Sequence, residues 1–151
     1  MGAHTLKESD LWRYVGGGLA GRWHATRIES SSGNGVPDVT FAIPSNIPGI
    51  KGTQGFLELK YIPKWPVKAS TLVKLPLRAE QKLWISNRGK VAGNVWVLCR
   101  IDNDFFLFND IQALHASEGR DVRWWFTSNF LYCCKHLDFK ALLNILYEGY
   151  R

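Results

Sequence analysis

Two charges inside an otherwise apolar run are the feature that most constrains how this chain can fold. Residues 55–60 read GFLELK. Successive side chains of a β-strand point to opposite faces of the sheet, so Glu58 and Lys60 share one face. The two leucines, Leu57 and Leu59, share the other face. Because charges are costly to bury unless they are paired or bound, we expect a strand with one apolar face and one face that carries a site.

A second acid lies directly after a proline, and together with Glu58 it indicates a metal site. Residues 35–39 read GVPDV, which places Asp38 at the start of another predicted strand. Hydrolysis of a phosphodiester needs one group that neutralises charge on phosphorus and another that supplies hydroxide. If the two strands are neighbours, Asp38 and Glu58 can bind Mg²⁺, with the main-chain carbonyl of Leu59 as a further ligand. Lys60 would then orient or deprotonate the attacking water.

Three further polar residues are candidates for the same site. Glu29 lies across a predicted hairpin from Asp38 and is a candidate additional metal ligand or a support for the ligands. Glu8, on the opening helix, is a secondary candidate for this role. Gln81 is spaced to point inward with the apolar stripe of a helix over residues 77–88. A buried amide needs partners, so we expect a water, a carboxylate or a substrate phosphate beside it.

The positive charge of the chain is concentrated in its middle. The whole chain carries a net charge of +6, and the segment from Tyr61 to Arg100 holds eight basic residues with Glu80 as its one acid. That segment therefore carries +7 and the remainder −1. Such a block indicates a polyanion partner, with a solvated basic surface as the alternative. The residues predicted to contact nucleic acid are Lys64, Lys68, Lys74, Arg78 and Lys82.

Composition narrows the class of protein. A chain of 151 residues, 46% of them hydrophobic, suits one compact domain. No apolar run approaches the length of a membrane span, and the first residues do not resemble a signal peptide, so we expect no membrane partner. Three cysteines do not form a disulfide framework, which favours a reducing compartment and a cytoplasmic location. No motif for a small-molecule cofactor is present, since the glycine run at 16–18 lacks a phosphate-loop ending.

Other reactive or aromatic residues have structural alternatives. Cys133, Cys134 and His136 would need more ligands of suitable spacing to hold zinc, and buried cysteines are the alternative. Trp65 lies between lysines in a loop, where it either stacks on a base or anchors the loop. The aromatic run at 124–126 favours a core or a subunit interface over base stacking.

Local signals predict a mixed central sheet flanked by helices, an α/β (α+β) fold in one domain over residues 1–151. Two hairpin-like signals stand out, at Asn34 and Gly35 and at residues 102–104. The predicted strands cover 22–30, 36–43, 56–62, 94–101 and 104–109. The predicted helices cover Leu6 to about Val15, capped by Thr5 and ended by the glycines at 16–18; 77–88, ended by Gly89; Asp110 to about Ser117, capped by Asn109; and Phe139 to Tyr147, capped by Asp138.

The stretches GVPDV, FLELK, LRAEQKLWI and GNVWVLCRI together resemble the PD-(D/E)xK nuclease superfamily. Within it, residues 22–101 are most similar to the small stand-alone form of the virus-type replication–repair nuclease (VRR-NUC) group. The stretch RIESSSGNGVPDV is also similar to archaeal-type Holliday junction resolvases and their phage-encoded relatives. The resemblance implies a restriction-endonuclease-like fold, dependence on Mg²⁺ or Mn²⁺, and cleavage of DNA. Residues 102–151, a predicted C-terminal hairpin and helices, match no part of this pattern.

Carried over by position, Asp38, Glu58 and Lys60 match the catalytic triplet of the family, and Gln81 matches its helix glutamine. Arg78 stands where family patterns often have serine, which affects the expected DNA contacts and not the chemistry. Related stand-alone enzymes act as dimers on four-way junctions, so the resemblance implies a homodimer.

The sequence thus leads to the prediction of a metal-dependent DNA endonuclease, structure-specific for branched DNA in the manner of a Holliday junction resolvase. It would serve phage or viral DNA replication, recombination or repair, in the host cytoplasm. One alternative is a non-catalytic nucleic-acid-binding protein on the same fold. A second is a nuclease of the same superfamily with another substrate, such as an exonuclease or a restriction-type enzyme.

Overall fold

The computed structural model describes residues 8–28, 34–91 and 93–149. Within these residues one six-stranded sheet is flanked by five helices. The strands are β1 (His24–Arg27), β2 (Val39–Ile43), β3 (Thr53–Ile62), β4 (Val95–Ile101), β5 (Asp104–Asn109) and β6 (Leu131–Cys134). The helices are α1 (Glu8–Gly18), α2 (Ala79–Val91), α3 (Asp110–Glu118), α4 (Val122–Thr127) and α5 (Phe139–Glu148).

The strands follow their order in the chain from one edge of the sheet to the other. Only β3 and β4 pair in parallel; the other pairs are antiparallel. The parallel pair requires a crossover, and α2 supplies it. The predicted mixed α+β class is confirmed, and a mostly antiparallel sheet with helices on both faces is consistent with a restriction-endonuclease-like fold.

Two apolar cores lie on the two faces of the sheet. On one face, α1 and α5 pack over Leu57 and Leu59. On the other face, α2, α3 and α4 pack over Val97 and Phe106. Strand β4 is buried on both faces over residues 95–99, as the apolar run there indicates, and Arg100 near its end is partly exposed. Glu58 and Lys60 therefore belong to the face that α2 covers, as the alternation along β3 predicted.

Two predicted helix ends are wrong for the same physical reason. The glycines at 16–18 lie inside α1, and Gly89 lies inside α2. A side chain on Gly18 would collide with the ring of Phe139 in α5, and one on Gly89 would collide with the carboxylate of Asp110. Gly18 and Gly89 permit close packing, and the helices continue beyond the predicted ends at residues 15 and 88. The predicted cap Thr5 and the helix start at Leu6 lie outside the described residues.

The C-terminal third completes the sheet. The predicted caps of α3 and α5 are confirmed, because Asn109 and Asp138 accept backbone N–H groups of their first turns. Helix α4 and strand β6 were not predicted, and β6 forms one edge of the sheet beside β5. In the described residues, no helix has both the length and the apolarity needed to cross a bilayer.

Candidate active site

The pairing of β2 with β3 brings the two predicted metal ligands together. The last residue pair of this ladder is Val39 with Leu57, so Asp38 lies beside Glu58 just beyond it. The backbone N–H of Asp38 donates to Glu58 Oε2 at 3.1 Å, and the N–H of Leu59 donates to Asp38 Oδ2 at 3.2 Å. Each carboxylate is thus fixed by the backbone of the other acid's strand.

Glu58 is a buried acid in an unfavourable setting. Its exposed fraction is 1%. Burial is the main reason that its pKa is raised from 4.5 to about 8; the charge of Asp38 raises the pKa further, and Lys60 lowers it. Without an additional cation, the pair of carboxylates therefore favours a protonated Glu58 at neutral pH.

Lys60 connects Glu58 to a third acid. Its Nζ lies 3.5 Å from Glu58 Oε1 and 3.9 Å from Glu8 Oε1. Glu8 comes from α1, on the opposite face of the sheet, and its side chain is 47% exposed. Partial burial raises the pKa of Glu8, and Lys60 offsets part of that effect. The structure therefore places the secondary candidate, Glu8, at the solvent side of Lys60.

Gln81 fixes the remaining oxygen of Glu58. Its amide is buried, and Nε2 donates to Glu58 Oε1 at 3.1 Å. Its Oε1 accepts the backbone N–H of Arg78 at 2.9 Å, which is one half of a capping box at the start of α2. Of the three partners expected for this amide, the carboxylate is the one present in the structure.

Gly35 positions the loop that carries Asp38, a role that sequence reasoning missed. The sequence indicated a tight hairpin turn at Asn34 and Gly35, but β1 and β2 are joined by residues 28–38. Gly35 has a φ of +79°, and a side chain there would collide with the backbone carbonyl of Glu80. The loop therefore passes directly against the first turn of α2. The motif glycine was visible in the sequence, but its contact was not.

The donor set at this point fits a divalent metal ion. Carboxylate oxygens of Asp38 and Glu58 are hard ligands, and a cation between them would stabilise the ionised form of Glu58. The N–H and C=O of one strand residue face the same side, so the carbonyl of Leu59 also faces Asp38. Across the residues described, no group of three or more His, Cys, Asp or Glu side chains is arranged for a metal. Water and phosphate oxygens would complete the coordination. Glu29 lies outside the described residues.

The predicted nucleic-acid contacts are accessible in the connection from β3 to α2. Lys64, Lys68 and Lys74 are exposed there. Arg78 is exposed and lies 3.3 Å from Glu80, while Lys82 is partly buried on α2. The connection ends at the helix that holds Gln81, and of these side chains Arg78 is close enough for its charge to lower the pKa of Glu8.

Trp65 and Trp125 have structural roles, whereas the cysteines differ in burial. Trp65 donates from Nε1 to Asp104 Oδ2 at 2.8 Å and stacks on Phe126, so it anchors its loop. Trp125 is fully buried in the core. Cys99 is buried, but Cys133 is half-buried and Cys134 is exposed, so the expectation that these two cysteines are buried is wrong.

Comparisons with known proteins identify no relative of this chain. No family model matches it, and searches of curated proteins and of solved structures found no significant match. A functional proposal therefore depends on the residues of the chain itself and on the resemblance of its motifs.

Proposed function

We propose that this protein is a metal-dependent DNA endonuclease. The observation that carries the proposal is the convergence of Asp38, Glu58 and Lys60 at one point on β2 and β3, with Gln81 holding Glu58. Burial of one carboxylate beside another costs free energy of folding, and a bound cation would offset that cost. This geometry therefore favours a cation-binding site over a purely structural cluster.

Asp38 and Glu58, with the carbonyl of Leu59, would hold Mg²⁺ or Mn²⁺. When bound, such an ion neutralises phosphate charge and lowers the pKa of water. The chain orients the ligands: the backbone N–H groups of Asp38 and Leu59 each fix one carboxylate oxygen. Gln81 fixes the second oxygen of Glu58, which leaves little freedom for that side chain.

Lys60 would act on the attacking water. Its side chain is buried, and its Nζ lies between the buried Glu58 and the partly exposed Glu8. An amine there can orient the water or take a proton from it. Glu8 can position the amine in either case.

The proposed substrate is branched DNA. Lys64, Lys68, Lys74, Arg78 and Lys82 make the connection from β3 to α2 and the start of α2 basic, which suits phosphate contacts. Preference for four-way junctions follows from the motif resemblance, as does a homodimer, since paired cuts in two opposed strands need two active sites. We place the activity in phage or viral DNA replication, recombination or repair, in the host cytoplasm.

The test uses an end-labelled four-way junction and a linear duplex of the same sequence, with Mg²⁺ or with EDTA. We expect paired Mg²⁺-dependent nicks in the junction from the wild type and none from Asp38→Asn. Asp102→Asn is the matched control, because Asp102 is an exposed turn residue with a φ of +51°, which asparagine tolerates. It should cut as the wild type does.

Each other outcome selects a different function. Equal cutting of the linear duplex would support nuclease activity but refute a preference for junctions. Cutting of end-blocked and circular DNA would then distinguish a restriction-type enzyme from an exonuclease. Tight binding with no cutting in Mg²⁺ or Mn²⁺ would identify a non-catalytic nucleic-acid-binding protein. Cutting by Asp38→Asn at the wild-type rate would refute the proposed site.

A further inference from the structure

A groove of about 450 Å³ lies where β3 runs into the basic connection. One wall comes from residues 61–66 and the other from residues 72–76. Tyr61 and Ile62, the last residues of β3, line it, so the groove lies at the end of the strand that carries Glu58 and Lys60. Its volume is within the range of roughly 300–1,000 Å³ that is usual for ligand sites.

Both walls are held by contacts outside the groove. Trp65 anchors the first wall through its hydrogen bond to Asp104 and its stacking on Phe126. The second wall is tied to the end of α3, because the N–H of Val73 donates to Arg120 O at 2.8 Å and that of Leu75 donates to Ala116 O at 3.0 Å. A groove with fixed walls binds a ligand with little ordering cost.

The groove combines an apolar lining with positive charge. Pro66, Leu72 and Val73 contribute apolar surface, and Leu72 is 59% exposed. Lys64 and Lys74 belong to opposite walls. Residues 61–79 contain four basic side chains and no acid. The occupant should therefore present both a flat apolar surface and a negative charge.

We propose that the groove binds an unpaired nucleotide of the DNA substrate, with its base against the apolar walls and its phosphates beside Lys64 and Lys74. A base within a duplex is already stacked, so an unpaired nucleotide is the form of DNA that can enter. This inference rests on the proposed function, since it takes DNA as the substrate. It narrows the substrate to branched DNA that has unpaired nucleotides at the branch.

The test measures binding in EDTA by fluorescence anisotropy, so that no cleavage is needed. The two ligands are branched DNAs that differ in one feature: the unpaired nucleotides at the branch carry bases or are abasic. We expect the wild type to bind the abasic DNA about tenfold more weakly. Leu72→Ala should bind the DNA with bases more weakly than the wild type does. On the abasic DNA, the variant and the wild type should bind equally.

Ile47→Ala is the matched control. Ile47 is 63% exposed, as Leu72 is 59% exposed, but it lies in the loop before β3, at the opposite end of that strand. Its variant should bind both DNAs as the wild type does. Lys64→Ala should weaken binding of both DNAs, because it removes a phosphate contact.

The results separate this inference from the nuclease proposal. If abasic and base-containing DNA bind equally while the wild type cuts junctions in Mg²⁺, the groove contacts only phosphate and the inference is wrong. If base-dependent binding through Leu72 is found but no variant or condition gives cutting, the groove inference stands and the nuclease proposal fails.

Discussion

Helices α2 and α3 begin with the same arrangement. Each has a glutamine at its third position whose side-chain oxygen accepts the N–H of the residue before the helix. Gln81 accepts from Arg78 at 2.9 Å, and Gln112 accepts from Asn109 at 3.2 Å. The arrangement at α3 is a complete capping box, because Asn109 also accepts from the N–H of Gln112. Arginine has no acceptor, so α2 has only half of the box.

Each helix start also has a buried acid and a closely packed glycine. At α2 the acid is Glu58, which has Asp38, Lys60 and Gln81 around it. At α3 the acid is Asp110, packed near Gly89; among the described residues, its Oδ1 has no hydrogen-bond partner. A buried acid at a helix start is therefore not enough to indicate a site. The difference is the convergence of a second acid and a lysine.

The largest expected effect is the loss of cleavage in Glu58→Gln. This change removes a proposed metal ligand but keeps the shape of the side chain, so the junction-cutting rate should fall by at least about 100-fold. Asp110→Asn makes the equivalent change at the start of α3 and should leave the rate unchanged. If Asp110→Asn lowers the rate as much as Glu58→Gln does, and circular dichroism shows that both variants are folded, the proposed difference between the two helix starts is wrong.

Next in size is the pH dependence of stability in the metal-free protein. Folding raises the pKa of Glu58 from 4.5 to about 8, mainly through burial, so the folded state holds this proton more tightly than the unfolded chain. That contribution to stability is complete below about pH 4.5 and is lost as the pH rises through about 8. In EDTA, the free energy of unfolding should fall by a few kcal/mol over this interval.

Urea unfolding at a series of pH values measures this slope. Glu58→Gln has no group to titrate at that position and should show a flatter profile over the same interval. Mg²⁺ should restore wild-type stability at the alkaline end, because binding favours the ionised form. Parallel profiles for the wild type and Glu58→Gln would show that the carboxyl is not perturbed by folding.

The sequence predicted most of the sheet because its strands carry local signals. The alternation along β3 placed Glu58 and Lys60 on one face, and the caps Asn109 and Asp138 located two helices. The ends of α1 and α2 could not be predicted in this way. Gly18 and Gly89 match the local pattern of a helix stop, but each packs closely against a residue distant in the chain, Phe139 and Asp110 respectively.

The site was less accessible to sequence reasoning because its contacts are long-range. The alternation of side chains along β3 places Glu58 and Lys60 on one face of the sheet. The proximity of Asp38 to Glu58 depends instead on the register between β2 and β3. The inward direction of Gln81 followed from its helical spacing, whereas its half capping box depends on the observed start of α2. Glu8 reaches Lys60 from the other face of the sheet, which no local pattern encodes.

A third prediction separates capping from chemistry. Gln81→Ala and Gln112→Ala each remove a side-chain acceptor from a helix start, so both should lower the free energy of unfolding by about 1 kcal/mol. Only Gln81→Ala also releases Glu58, and its cleavage rate should fall by roughly 10–100-fold. Equal rates for the two variants would mean that the hydrogen bond from Gln81 to Glu58 has no role in the reaction.

The smallest expected effect on the cleavage rate concerns Gly35, the glycine that packs against the start of α2. Gly35 and Gly49 both have a positive φ, +79° and +82°, so an alanine at either position is strained by about 1 kcal/mol. A side chain at Gly49 meets nothing within 4 Å, whereas one at Gly35 meets the carbonyl of Glu80. Gly35→Ala must therefore also displace the loop that carries Asp38.

We expect Gly35→Ala to lose roughly 1–3 kcal/mol more in urea unfolding than Gly49→Ala, and to cut junctions more slowly. Gly49→Ala reports the backbone strain alone and should cut at the wild-type rate. If the two variants are equally stable and equally active, the loop is not held by α2. The position of Asp38 would then depend on its hydrogen bonds to β3 and on the N–H of Ile28, which donates to Asp38 O at 2.6 Å.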